Sequence, residues 1–162
     1  MLDLGGGAGV PSTARLAERF EVIGVDVSER QVDLARCERS RATFVCADLS
    51  ELRFEEETFA AVTALYSISH IPRVEHGTLF ERIASWLAPG GLFLASLGGK
   101  DSPDWTGEWL GVPMFFSSYD VDTNRALLEA AGLTPLHAEI VTMTEPEGDV
   151  AFLWLPAEKP AR

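Results

Sequence analysis

A run of glycines near the start of the chain constrains its fold more than any other feature. Gly5, Gly6, Gly7 and Gly9 follow the short apolar segment Met1–Leu4 and precede apolar residues at helical spacing. A glycine-rich turn from a strand into a helix is typical of open α/β sheets, which bind ligands at the carboxyl ends of their strands. We therefore expect the backbone amides of this loop to face a crevice at one edge of a sheet.

The rest of the chain fits the same architecture. Apolar runs of strand length alternate with segments of helical period, which predicts βαβ units and a mostly parallel sheet. Strands are expected at Met1–Leu4, Val22–Val27, Phe44–Ala47, Phe59–Tyr66, Leu92–Leu97, Leu136–Met143 and Val150–Leu155. Helices are expected from about Ser28 to Cys37 or Arg39, around Leu79–Leu87 and over about Thr123–Ala131. Pro146 and Gly148 predict a turn that makes the last two strands antiparallel. The prediction is a single α/β domain with a doubly wound, seven-stranded sheet, parallel except for its last strand.

Charge and cysteine content exclude several classes of partner. The chain has 13 Lys and Arg against 25 Asp and Glu, a formal net charge of -12, which disfavours nucleic acids and anionic membrane surfaces. Its apolar runs are far shorter than the ~20 residues of a membrane span. Cys37 and Cys46 are not spaced as metal ligands, so we expect no metal site, two buried thiols and a reduced, cytoplasmic protein.

The spacing of the glycines discriminates among possible ligands. A dinucleotide fingerprint starting at Gly5 or Gly7 requires glycine where Val10 or Ser12 stands, and no lysine that could complete a phosphate-binding loop occurs before Lys100. Both phosphate interpretations are weakened. Acidic residues instead end the second and third predicted strands.

Four motifs in order carry a resemblance to a known family. The segment Asp3–Gly9 matches D-x-G-x-G-x-G, and Val25–Ser28, Ala47–Leu49 and Ala88–Leu92 follow it. From Met1 to about Leu97 the sequence resembles the class I S-adenosylmethionine-dependent methyltransferases that act on small molecules. The resemblance implies a Rossmann-like fold, S-adenosylmethionine as the methyl donor and S-adenosylhomocysteine as its product.

The resemblance also assigns roles to individual residues. It implies that Asp26 binds both ribose hydroxyls, that Asp48 binds the adenine amino group, and that Asp3 holds the loop or, through water, the ligand's ammonium group. The implied donor-binding residues are Asp3, Gly5, Gly6, Gly7, Gly9, Asp26, Val27, Asp48, Leu49 and Leu65. Two alternatives stay open from the residues alone, because Asp26 can cap the next helix and Asp48 can form a turn.

Candidates for acceptor chemistry follow the fourth predicted strand. His70 and Tyr66 are the candidate catalytic pair, since an oxygen or nitrogen acceptor can require a base to remove its proton. His70 can instead bond to backbone, and Tyr66 can be a wall of the pocket. The aromatic segment Gly98–Tyr119 is too irregular for a regular core element, and the resemblance implies that it forms the acceptor site; it can alternatively cover the sheet edge.

One departure from the family concerns the amino terminus. The family carries helical structure before the first strand, whereas Met1 already lies in that strand, so we expect a truncated domain over residues 1–156 with a tail over 157–162. The predicted function is methyl transfer to a small-molecule acceptor, with a homodimer possible. A non-catalytic module that binds the donor or a partner chain is the first alternative. A nicotinamide-dependent oxidoreductase is the second.

Overall fold

The computed structural model of the protein describes residues 1–38, 41–109, 111–145 and 148–161. Five strands form the parallel part of the main sheet, in the order β3-β2-β1-β4-β5. Their bounds are Leu2–Leu4 (β1), Ile23–Asp26 (β2), Thr43–Cys46 (β3), Phe59–Leu65 (β4) and Leu87–Gly98 (β5). All four neighbouring pairs are parallel, as predicted for βαβ units. β5 begins at Leu87, before the Pro-Gly-Gly sequence that was expected to precede it, directly after a helix ends.

The segment after β5 is a hairpin. β6 (Ser102–Trp109) and β7 (Val112–Ser118) pair with each other in a separate two-stranded sheet. The expectation that Gly98–Tyr119 is too irregular for a regular element is therefore wrong. Val112, Met114 and Phe116 recur at every second residue of β7, and Trp105 and Trp109 lie four residues apart in β6, so these five side chains share one side of the hairpin.

The last strands complete the main sheet. β10 (Gly148–Glu158) runs antiparallel to β5 on one side and to β8 (Thr134–Pro135) and β9 (Glu139–Glu145) on the other. Because β8 and β9 are separate, the described residues form eight strands in this sheet where seven were predicted. The antiparallel last strand is confirmed. The expected tail is wrong at residues 157–159, since β10 reaches Glu158 and the Lys159 amide donates to Gly91 O at 2.9 Å.

Helices pack on the sheet through two separate apolar clusters. Their bounds are Ser12–Leu16 (α1), Glu29–Cys37 (α2), His76–Trp86 (α3) and Val121–Ala130 (α4), with short 3-10 turns at Ile68–His70 and Arg73–Glu75. The larger cluster joins α3 and α4 to β1, β4, β5 and β10, and the smaller one joins α2 to β3. Ser28 caps α2 as predicted, accepting from the Gln31 amide at 3.4 Å, while Arg39 lies outside the described residues.

Both cysteines contradict the expectation of burial. Cys37 ends α2 and Cys46 ends β3, and both are exposed thiols. For Cys46 the reason is the strand order, because β3 lies at the edge of the sheet and three of its four residues are exposed.

His76, the first residue of α3, is a buried titratable group. Its side chain is 2% exposed, and its Nε2 lies 3.0 Å from the carbonyl oxygen of Ile71. A carbonyl only accepts, so Nε2 carries the proton, and the buried Nδ1 has no hydrogen-bond partner among the described residues. Burial lowers the pKa of His76 from its ordinary value of 6.5, opposed in part by the backbone contact to Ile71 and by Asp104 and Glu75.

We predict that this histidine makes the fold acid-sensitive. Below pH 6.5 the unfolded chain takes up a proton at this residue that the folded chain refuses, so the free energy of unfolding falls as the pH falls below that value. The variant His76→Gln keeps an amide donor for Ile71 and should show a flatter dependence in denaturant unfolding between about pH 7 and 5. His137→Gln, at an exposed position, is the matched control and should keep the wild-type slope. Equal slopes in the wild type and His76→Gln would contradict the prediction.

Candidate functional site

The expected ligand-binding segments meet at one edge of the sheet. β1 to β4 are parallel neighbours, with Leu4 paired to Val25 and Asp26 paired to Cys46. The segments that follow the last residues of these strands therefore lie at the same edge of the sheet. This edge carries the glycine loop after β1, Asp26 at the end of β2, Asp48 after β3 and the turn after β4.

The glycine loop folds back on β2. The amides of Gly5 and Gly6 donate to Val25 O at 2.8 and 3.0 Å, that of Gly9 donates to Gly6 O at 2.9 Å, and that of Gly7 donates to Asp26 Oδ2 at 2.9 Å. The expectation that these amides face the crevice is therefore wrong for Gly5, Gly6 and Gly9, which donate to backbone carbonyls, whereas the Gly7 amide donates to the carboxylate at the sheet edge. Because all four glycine amides are engaged, they offer no unpaired donors to a phosphate group.

The open side of this loop is at Gly7. Its φ is +54°, a left-handed conformation that favours glycine, and a side chain built there would meet no atom within 4 Å. At Gly5, by contrast, a β-carbon would lie 2.2 Å from the Cβ of Ser67, so glycine is required for close packing. The loop therefore packs closely against the turn after β4 at Gly5 and leaves space for a ligand at Gly7.

Asp26 presents a carboxylate beside this open side. Its Oδ2 accepts from the Gly7 amide and its Oδ1 from the Ser28 amide, each at 2.9 Å. A carboxylate has about four acceptor sites on its two oxygens, so each oxygen retains capacity for one further donor. Ser28 and not Asp26 is the N-cap residue of α2, and Asp26 contacts that helix start only by accepting the Ser28 amide. The neighbouring Val27 is 68% exposed, an apolar surface next to the carboxylate.

Asp3 lies beneath the loop. Only 2% of it is exposed, and its Oδ2 and Oδ1 accept from the hydroxyls of Thr13 and Thr63 at 2.5 and 2.6 Å. Thr13 belongs to α1 and Thr63 to β4, so one carboxylate joins the elements on either side of the loop. These contacts are those of a residue that holds the loop.

Asp48 forms a turn that a distant arginine stabilises. Its Oδ1 accepts from the Ser50 amide at 2.7 Å, and its side chain is exposed at the crevice edge. Arg82 of α3 donates to the carbonyls of Leu49, Ser50 and Leu52 at 3.0, 2.7 and 2.5 Å, and Leu49 is buried in the main core. No sequence pattern marked Arg82, because an arginine within an amphipathic helix ordinarily lies on the solvated face.

The turn after β4 joins this edge to a second site. Leu65, the last residue of β4, is half-buried, and Tyr66 follows with its amide donating to Ser96 Oγ at 2.7 Å. The hydroxyl of Ser67 donates to Leu4 O at 2.9 Å. Ser67 was missed from the sequence, where it is one of several serines without distinctive spacing.

The second site is a cavity of about 800 Å³ beneath the hairpin. The hairpin, the turn after β4, the end of β5 and the start of β10 enclose it. Its lining includes Tyr66, Ser69, His70, Gly98, Lys100, Trp105, Trp109, Met114, Phe116, Asp149 and Phe152. Both candidate catalytic residues therefore face the aromatic segment that was expected to form the acceptor site.

His70 has a defined tautomer. Its Nδ1 lies 2.9 Å from Phe115 O, and since a carbonyl only accepts, Nδ1 carries the proton. In the neutral ring Nε2 is then an acceptor, with no hydrogen-bond partner within the described part of the chain. The ring also lies 5.1 Å from that of Phe116. His70 thus has both the backbone contact and the place in the cavity that the sequence left as alternatives.

Tyr66 forms part of the cavity wall. Its ring lies edge-on to Phe152 at 4.7 Å and to Trp154 at 5.9 Å, and its hydroxyl donates to Met143 Sδ at 3.3 Å. A tyrosine in these contacts is a rigid side chain that shapes the pocket.

The described residues contain no cluster of three or more His, Cys, Asp or Glu side chains that could hold a metal ion. None of their helices has the length and apolar character needed to cross a membrane.

Comparison with known proteins identifies the family. The sequence profile of the family described as "Methyltransferase domain" matches residues 1–91. The chain is 31% identical over 157 residues to the 27-O-demethylrifamycin SV methyltransferase of Amycolatopsis mediterranei, covering 88% of this chain and 56% of that protein. It spans little more than half, or less, of the length of the curated relatives it matches.

Solved structures agree with this match. A methyltransferase from Methanosarcina mazei superposes with a TM-score of 0.86 at 14% identity, covering 99% of this chain and 92% of that one, which establishes the fold. The 1,6-didemethyltoxoflavin-N1-methyltransferase of Burkholderia thailandensis, solved with its substrate and S-adenosylhomocysteine, matches with a TM-score of 0.73 at 28% identity over 98% of this chain and 70% of that one. The chain belongs to the class I S-adenosylmethionine-dependent methyltransferases, which have a Rossmann-like fold.

Proposed function

We propose that the chain transfers a methyl group from S-adenosylmethionine to a small molecule bound in the cavity beneath the hairpin. One observation carries the proposal: through Ser67 the turn Tyr66–His70 bonds to Leu4 and packs against Gly5, the first residue of the glycine loop, and through Tyr66 and His70 it lines the cavity. A donor at the loop and an acceptor in the cavity would therefore meet at this turn. Bringing two reactants together in a fixed orientation is the main task in a direct displacement.

The residues at the sheet edge suit the donor. The open space at Gly7 and the acceptor capacity of Asp26 fit a ribose with two hydroxyl donors, and the engaged loop amides favour a ligand without phosphate. Asp3 would act from below, by fixing the loop, and Asp48, Val27, Leu49 and Leu65 would border the nucleoside. When bound, S-adenosylmethionine supplies a methyl group on a positively charged sulfur, which an acidic site favours.

His70 is the proposed general base. Nε2 would accept the proton of an acceptor hydroxyl or amine as that group attacks the methyl carbon. Phe115 O, already paired to Nδ1, would stabilise the positive ring that results, since it accepts from the same N–H in both protonation states. Tyr66 would limit the position of the acceptor rather than exchange a proton.

The exposed thiols and the net charge support a cellular compartment and a class of acceptor. We place the protein in the cytoplasm, because exposed thiols at Cys37 and Cys46 persist in a reducing compartment. The net charge of -12 favours small acceptors over nucleic acids. We further propose that the donor-binding domain extends from residue 1 through β10 to residue 159, with 98–119 as its acceptor segment, and that two copies can associate as a homodimer.

The proposed donor site leads to a prediction about ligand binding. Calorimetric titration of the chain with S-adenosylhomocysteine should show one site, and Asp26→Ala should weaken binding at least about tenfold, because it removes a charge-assisted contact to the ribose. Asp33→Ala is the matched control, since Asp33 is an exposed carboxylate on α2 paired only with Arg36 among the described residues. The control should bind as the wild type does.

Other outcomes of this titration would count against the proposal. Equal affinities of Asp26→Ala and the wild type would remove Asp26 from the site. A folded chain that binds nicotinamide dinucleotide but not S-adenosylhomocysteine would instead support the oxidoreductase alternative.

The proposed general base leads to a prediction about the tautomer of His70. Long-range ¹H–¹⁵N correlation spectra should show the neutral ring of His70 protonated at Nδ1 and unprotonated at Nε2. The chain has three histidines, so the variants His70→Gln, His76→Gln and His137→Gln assign every signal. His76 provides an internal contrast, because its Ile71 contact fixes the opposite tautomer. A proton on Nε2 of neutral His70 would exclude it as the base.

A further inference from the structure

One face of the hairpin lines the cavity and carries most of its apolar side chains. In its register Trp105 pairs with Phe116, Gly107 with Met114 and Trp109 with Val112, so these six residues point to the same side. The other side carries the exposed Thr106 and Glu108 together with Pro113 and Phe115. The side with both tryptophans is the more apolar one, and it covers the cavity.

Trp105 lies flat on this face. Its indole stacks on the Phe116 ring with centroids 4.9 Å apart and an interplanar angle of 24°. A β-carbon added to Gly107 would come within 2.0 Å of the indole Cζ3, so the ring lies directly across the backbone of Gly107. One side of the indole is therefore held by the hairpin, and the residue lines the cavity with 49% of its surface exposed.

A platform of this kind selects for ligand shape. A planar ring laid on the indole buries apolar area on both partners and gains further from the favourable geometry of an offset-stacked ring pair. A saturated ring of the same size has axial hydrogens on both faces and cannot approach as closely. Lone exposed apolar side chains need no explanation, but this one is fixed within a continuous apolar wall.

The other residues that line the cavity indicate which chemical groups the ligand has. Tyr66 and Phe152 supply aromatic surface from the sheet side of the same cavity. His70 lies beside Phe116, the ring on which Trp105 stacks, so the proton acceptor Nε2 belongs to the same aromatic cluster. A hydroxyl on the edge of a stacked ring would be the group within its reach. The net charge of -12 favours entry of that hydroxyl in its neutral form.

We propose that the cavity binds a planar aromatic compound bearing an ionisable hydroxyl, with its ring stacked on Trp105. This inference rests on the proposed function, in which the cavity holds the acceptor. In the reaction the hydroxyl oxygen forms a bond to the methyl carbon, the bond from that carbon to sulfur breaks with its electron pair left on sulfur, and the hydroxyl proton passes to His70.

Two probe compounds with the same carbon skeleton test the proposal. 2-Naphthol is planar and carries an ionisable hydroxyl, whereas decahydro-2-naphthol is its saturated counterpart. Calorimetric titration of the full chain, with and without saturating S-adenosylhomocysteine, should give at least about tenfold tighter binding of the planar probe. Trp105→Leu should weaken 2-naphthol binding at least fivefold, an estimate of about 1 kcal/mol from the ring pair, and leave the saturated probe unchanged.

Two further variants keep the result interpretable. Thr106→Ala changes an exposed residue on the opposite side of the same hairpin, outside the cavity lining, and should bind 2-naphthol as the wild type does. Gly107→Ala retains the indole but displaces it, so it should weaken 2-naphthol binding even if Trp105→Leu disturbs the hairpin. Unchanged affinity for S-adenosylhomocysteine in each variant verifies that the domain is folded.

The outcomes separate this inference from the proposed function. Equal affinity for the two probes, or unchanged 2-naphthol binding in both Trp105→Leu and Gly107→Ala, would overturn the aromatic platform while leaving donor binding intact. Loss of S-adenosylhomocysteine binding in the wild type would overturn the proposed function. In that case selective binding of 2-naphthol would still establish the platform as a ligand site.

Discussion

A single buried carboxylate holds together the elements on which the donor site depends. Asp3 lies in the three-residue strand β1 and bonds through its two oxygens to Thr13 in α1 and Thr63 in β4. An ionised group without partners is costly to bury, so both hydroxyl contacts are needed to keep it there. They also fix where β1 ends, and hence where the glycine loop turns back onto β2. The orientation of Asp26 depends on that turn, because one of its oxygens accepts from the Gly7 amide.

The two candidate sites are built by different means. The edge that would bind the donor uses backbone geometry, since glycines of positive φ and a carboxylate at a strand end shape it, and few side chains are involved. The cavity uses side chains on a separate two-stranded sheet, which contacts the main sheet chiefly at its base. Residues of such a hairpin can change without disturbing the parallel strands. Acceptor choice can therefore vary while the donor edge is kept.

The sequence predicted the parallel sheet and the placement of the two strand-end aspartates because these depend on local patterns. Apolar runs, glycine spacing and the cap at Ser28 are each readable within a few residues. The hairpin was missed because glycines, prolines and serines interrupt its alternation, and its apolar side faces a cavity rather than the main core. The exposure of Cys46 was also missed, since the position of β3 at the sheet edge depends on strand order. Ser67 and Arg82 act through contacts distant in sequence, for which a single chain carries no signal.

Tyr66 connects the two sites at the cost of backbone strain. Its φ of 56° is a left-handed conformation that is rare for an aromatic residue, and such residues persist only where their surroundings hold them. Ser96 does so from β5 by accepting the Tyr66 amide, and Ser67 does so by its bond to β1. The left-handed turn sends the next residue toward Gly5 while the tyrosine ring faces the cavity. A glycine would adopt the same φ without strain, but it would leave the cavity without this wall. The strained tyrosine therefore serves both sites at once, which a relaxed strand end could not do.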